Sequence, residues 1–158
     1  MGGIYGFVKD RIEKDNAESL LLQMANSMSF RGHHQDFYCS GNIAMGLAVY
    51  GYEPGKSVVM SRDKSVIAVC EGEIYNQREL LQSLKQPPSD GEELQGFELV
   101  PFLYQEQGRD FARALNGVFA ISLWDLSEKR LFLVRDHLGS HSVFYHCSGS
   151  SIVFGSTI

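Results

Sequence analysis

The run at residues 117–125, GVFAISLWD, constrains the fold more than any other segment. It is almost continuously apolar. A strand with one face in water alternates apolar and polar residues, whereas a strand covered on both faces does not. This strand therefore needs cover on each side, and two packed sheets with helices outside them supply it. Its neighbours agree. Residues 130–136 (RLFLVRD), 142–147 (SVFYHC) and 151–156 (SIVFGS) read as closely spaced strands, with a turn at Asp125–Lys129. Upstream, 3–8 (GIYGFV), 43–50 (IAMGLAVY), 57–60 and 66–70 (VIAVC) also read as strands.

Helices are marked by a different period. Ala17, Leu20, Leu21, Met24, Ala25 and Met28 recur at three–four spacing, so 16–29 reads as an amphipathic helix with its methionines in the core. Asp15 is placed to cap it, with Glu18 at the third helical position. Residues 76–85, 97–107 and 109–115 read as further helices, although Pro101 argues against regular hydrogen bonding in the second. FRGHHQ (30–35) and the Pro/Gly-rich stretches at 54–56 and 86–96 read as loops or turns.

At 158 residues the chain is expected to form one domain, 1–158. Apolar residues at 44% and charged residues at 21% exclude a disordered chain. A net charge of −5 argues against nucleic-acid binding by charge. No apolar run reaches the roughly 18 residues of a membrane span. No basic region followed by an apolar stretch opens the sequence, so a cytoplasmic location is expected. Cys39, Cys70 and Cys147 contain no C-x-x-C pair and read as buried free thiols. His137 and His141 would share a face on a helix, but the surrounding strands make that spacing irrelevant, and no metal is expected. Trp124 is expected to pack, Asp125 and Glu128 to be solvated beside their turn, and Arg135–Asp136 to order a loop as a pair. The chain ends just after its last strand, as at a domain edge.

An ordered series of motifs remains. It runs Met1-x-Gly3-Ile4-Tyr5-Gly6, Arg31-Gly32, Gly72-Glu73-Ile74-Tyr75-Asn76, then Glu98 in a helical stretch ending Tyr104-Gln105-Glu106. Leu115-Asn116-Gly117-Val118-Phe119-Ala120, Leu123-Trp124-Asp125, Arg135-Asp136-His137-Leu138-Gly139 and Phe154-Gly155-Ser156 complete it. Together these resemble the class II glutamine amidotransferase domain of the asparagine synthetase family, over essentially the whole chain. The resemblance implies an α+β fold: the Ntn-hydrolase four-layer αββα sandwich of two antiparallel sheets flanked by helices. It also implies a reaction without a cofactor, in which an N-terminal cysteine thiolate attacks the glutamine side-chain amide with its own α-amine as base. The ammonia then passes to an ATP-pyrophosphatase, synthetase-type domain or subunit. A homodimer stays open as a second form of partnership.

Measured against that family, the functional positions are changed. Gly2 stands where the nucleophile belongs and has no side chain; removing the nucleophile costs about 10⁶ in rate in a comparable hydrolase. Counting back without gaps from Gly72 puts the carboxylate-binding arginine at Gly46, and no Lys or Arg occurs between Arg31 and Lys56. Glu71 replaces the asparagine of the oxyanion hole, while Gly72 keeps its N–H; loss of one such donor costs about 10²–10³. The acid that holds the substrate ammonium falls at Gly96, and Glu73 is retained. The RGPD loop of the family reads Arg31-Gly32-His33-His34, and Ser142 stands where a late proline is common.

The expectation is a degenerate amidotransferase domain that acts as a structural or binding module. Relatives that build β-lactam or macrolactam rings keep silent domains of this kind. Three alternatives stay open: an enzyme rebuilt around Glu71, Glu73 and the Gly2 amine; an amine sensor; and an active family member carrying an engineered Cys→Gly change. Exposed apolar surface near the last strands would mark docking.

Overall fold

The computed structural model describes residues 2–10, 13–51, 58–85 and 94–158. Its elements are β1 (Gly3–Val8), α1 (Lys14–Ser27), β2 (His34–Ser40), β3 (Ile43–Val49), β4 (Val58–Met60), β5 (Val66–Ile74) and α2 (Gln77–Ser83). After them come α3 (Leu99–Gln107), α4 (Phe111–Ala114), β6 (Gly117–Asp125), β7 (Arg130–Arg135), β8 (Phe144–Ser148) and β9 (Ser151–Gly155). The strands form two antiparallel sheets, ordered β2-β3-β1-β9-β8 and β4-β5-β6-β7.

Hydrophobic burial sorts these into four layers. Ile4, Met45 and Leu47 of one sheet meet Ile67, Val69 and Trp124 of the other in the central core. α1 covers the outer face of the first sheet, where Leu21, Ala25 and Met28 pack on Tyr5, Phe7, Ala44 and Ala48. α3 and α4 cover the second, with Leu99, Leu103 and Phe111 against Ala68, Cys70, Ile121 and Leu123. The αββα sandwich of two antiparallel sheets is therefore present. The apolar run at 117–125 has its explanation: β6 turns Ala120 and Trp124 into the central core and Phe119, Ile121 and Leu123 toward the helices. Ser122 is tolerated because its hydroxyl donates to the Val69 carbonyl at 3.4 Å.

Several local expectations are corrected. α1 begins at Lys14, with Glu13 at the cap position; Asp15 sits in the first turn, and no side chain caps the helix. β2 begins at His34, at the end of the stretch 30–35 expected as a loop, and runs to Ser40. α3 is regular through Pro101 because the proline lies in its first turn, where no N–H partner is required. Asp125 is buried rather than solvated, accepting from the Tyr104 hydroxyl at 2.8 Å and from the Ser127 and Glu128 N–H groups. Burial, then this bond, pushes the Tyr104 phenol up to about 12. Of the cysteines only Cys70 is buried; Cys39 is half-buried and Cys147 exposed. The expected turn at 54–56 and most of the loop at 86–96 (86–93) lie outside the described residues. No described helix is long and apolar enough to cross a membrane.

Candidate functional site

The shared motifs hold one end of the sandwich in shape. Arg31, in the turn after α1, donates from Nη1 to the Gly2 carbonyl and from Nη2 to the Ser156 carbonyl, each at 3.0 Å. Ser156 exchanges two further bonds with Ile4, accepting its N–H on Oγ at 3.0 Å and donating its own N–H to the Ile4 carbonyl at 2.8 Å. The start of β1 is thus tied to the end of β9. On the other sheet, Asn76 donates to the Ala114 carbonyl at 2.9 Å and accepts the Asn116 N–H at 3.0 Å, while the Tyr75 N–H reaches the Asn116 carbonyl. These bonds fix the end of β5 against the start of β6.

Asp136 builds the loop between β7 and β8. Its buried carboxylate accepts N–H groups of Phe119, Leu138 and Ser140 and the Ser140 hydroxyl. Burial alone would raise its pKa, but the bonds from Ser140, Phe119 and Leu138 outweigh that and hold it at about 2. The expected pairing with Arg135 is replaced by main-chain donors. The same loop delivers His141 into the space between the sheets.

A cleft of about 1100 Å³ opens at this end. Gly2, Glu71, Gly72, Glu73 and Gly96 all line it. Gly46 does not. It shares the α1-facing side of β3 with Ala44 and Ala48, and a Cβ there would lie 2.7 Å from the Tyr5 ring. The β3 residues that line the cleft are Leu47 and Val49, and Val49 is the one beside Gly2. The count to Gly46 runs back through 50–65, where no motif fixes the loop length. Val49, like Gly46, is uncharged.

The chemistry of the lining is acidic. Glu71, Glu73 and Glu98 are present, and no Lys or Arg occurs among the described lining residues. Glu98 is engaged locally: its Oε2 accepts the Gln95 N–H at 2.8 Å in a capping box that starts the turn before α3. Gly96 N–H donates to Gln77 Oε1 at 3.0 Å. Cys70, the lining cysteine, is fully buried and its thiol is pushed well up by burial, which disfavours the thiolate. His141 is the residue that sequence reasoning missed as a site member. Its Nδ1 lies 3.0 Å from Glu71 Oε1, both side chains being buried. Seventy positions of sequence separate the two, and the Asp136 loop brings them together.

The whole chain, residues 1–158, matches the family model described as a glutamine amidotransferase domain. It is 30% identical over 164 residues to asparagine synthetase (glutamine-hydrolyzing) 3 of Bacillus subtilis strain 168, covering 100% of this chain and 27% of that protein. Asparagine synthetase (glutamine-hydrolyzing) 2 of the same organism is 29% identical over 147 residues, covering 88% and 19%. Asparagine synthetase B (glutamine-hydrolyzing) of Escherichia coli K12 is 30% identical over 147 residues, covering 88% and 26%. The chain thus spans between 19% and 27% of the length of these relatives. Among solved structures, glutamine phosphoribosylpyrophosphate amidotransferase from B. subtilis, complexed with ADP and GMP, matches with a TM-score of 0.71 at 17% identity. That match covers 98% of this chain and 41% of that one, and it shows a shared fold.

Proposed function

This chain belongs to the class II (Ntn-hydrolase) glutamine amidotransferase domain family related to asparagine synthetase, and we propose that it is a degenerate member that does not hydrolyse glutamine. Its role is that of a binding or structural module for a synthetase-type partner or domain.

The observation that carries this reading is the composition of the cleft. Acyl transfer from glutamine needs a nucleophile, donors aimed at the developing oxyanion, and a cation for the substrate carboxylate. Gly2 offers no side-chain nucleophile, and a Cβ at that position would meet the Ala48 carbonyl oxygen at 2.6 Å. Cys70 is buried on the helix side of β5 and is no substitute. A carboxylate, Glu71, stands where an amide donor would face the oxyanion. Val49 supplies no charge beside Gly2, and Arg31 spends both Nη groups on main-chain carbonyls. Position 96 has no side chain to share the substrate ammonium with Glu73. An engineered change at position 2 alone would leave the other positions intact, so it does not account for them.

The partner half of the reading is supported by surface and length. All of β8 is exposed, and Phe144, Tyr145 and the neighbouring Val153 of β9 present apolar area at the sheet edge. The relatives named as synthetases are several times longer than this chain. The direct test is ammonia release from glutamine by the unmodified chain. No release above the buffer blank is expected; turnover that scales with protein concentration would overturn the reading.

A further inference from the structure

We propose that the floor of the cleft binds a small organic cation, an ammonium or guanidinium compound without a carboxylate, through Glu71 beside His141. This deepens the reading above and rests on it.

Glu71 continues the face of β5 that carries Ile67 and Val69, so it points between the sheets. It is 4% exposed, yet neither carboxylate oxygen has a hydrogen-bond partner. A buried carboxylate without donors is costly to the fold. Asp136 shows how this same molecule meets that requirement, with donors from Phe119, Leu138 and Ser140. Glu71 has only His141, whose Nδ1 lies 3.0 Å from Oε1, and neither that nitrogen nor either oxygen makes a hydrogen bond. Two acceptor oxygens and a ring nitrogen, enclosed and without hydrogen bonds, therefore lie together where Glu71 and His141 line the cleft.

The complement is a group rich in N–H donors and carrying positive charge. An ammonium has three donors and no acceptor, and a guanidinium has a planar fork that suits a carboxylate. Either can donate to the Glu71 carboxylate. The rest of the lining selects against a second, negative group: Glu73 and Glu98 line the same cleft, with no Lys or Arg among the described lining residues. Tyr50, Tyr75 and Phe97 also line the cleft, and aromatic rings attract organic cations.

The test is calorimetric titration of the intact chain with agmatine, which carries a guanidinium and an ammonium, and with arginine, which adds a carboxylate. Agmatine is expected to bind saturably at millimolar concentration or below, and arginine about tenfold or more weakly. Glu71→Gln, nearly isosteric, is expected to weaken agmatine about tenfold or more through the loss of a charge-assisted bond. The proposal is overturned if agmatine gives no saturable heat, if arginine binds equally well, or if a folded Glu71→Gln chain binds agmatine unchanged. Should that variant not fold, the agmatine-to-arginine ratio of the unmodified chain decides alone. The ammonia assay fails separately: glutamine turnover removes the premise, whereas silence toward both glutamine and agmatine removes only this proposal.

Discussion

Gly72 and Gly96 both adopt positive φ, at +106° and +54°, but are constrained to different degrees. A Cβ at Gly72 would lie 2.0 Å from the Val118 carbonyl oxygen, in a paired strand that has no room to move. At Gly96 nothing lies within 4 Å. Gly72→Ala is therefore expected to cost about 3 kcal/mol by thermal melting, and Gly96→Ala only about 1 kcal/mol. Equal losses would mean that the close approach at Gly72 is not real. Asp136 gives a second test at this scale. Its folded pKa of about 2 lies below the ordinary 3.8, so its contribution is complete above about pH 4 and is lost as pH falls through about 2. Asp136→Asn is expected to be less stable at neutral pH, with the gap to the unmodified protein closing between those values. A gap that stays constant down to pH 2 would contradict the assignment.

At the scale of elements, the motifs act as ties between strands. Arg31 joins the start of β1 to the end of β9 through two carbonyls. Arg31→Ala is expected to cost about 2 kcal/mol and to raise amide exchange in β1 and β9 while leaving β5 and β6 protected. Exchange rising equally in both sheets would show a global loss instead. Which elements were legible in the sequence follows from burial. β6 was readable because both its faces are covered, and α1 because its stripe repeats at helical spacing. β2 was not: HQDFYCS is a partly exposed edge strand with neither a continuous nor an alternating apolar pattern. The cleft was legible where a motif fixed the register, as at Glu71, Gly72 and Glu73, and failed at Gly46, where a loop of unfixed length intervened. His141 left no local signal. Its partner is distant in the chain, and the loop that positions it is organised by Asp136 rather than by its own neighbours.

Across the whole molecule, two sets of residues separate in space. The residues that tie strand ends together, Arg31, Asn76, Asp136 and Ser156, remain and make the bonds described above. Gly2, Glu71 and Gly96 face one cleft, with uncharged Val49 beside them. The ties that hold the fold and the residues that line the cleft are thus separate sets, as a scaffold with a grafted site permits. The central claim is that the cleft is altered throughout and not at the nucleophile alone. It is tested most directly by glutamine hydrolysis in a Gly2→Cys chain, with removal of Met1 verified by mass. The account predicts silence, because the donor opposite the oxyanion, the carboxylate cation and the second ammonium-binding acid are still absent. Ammonia release by that single variant would contradict it, since the rest of the cleft would then be competent.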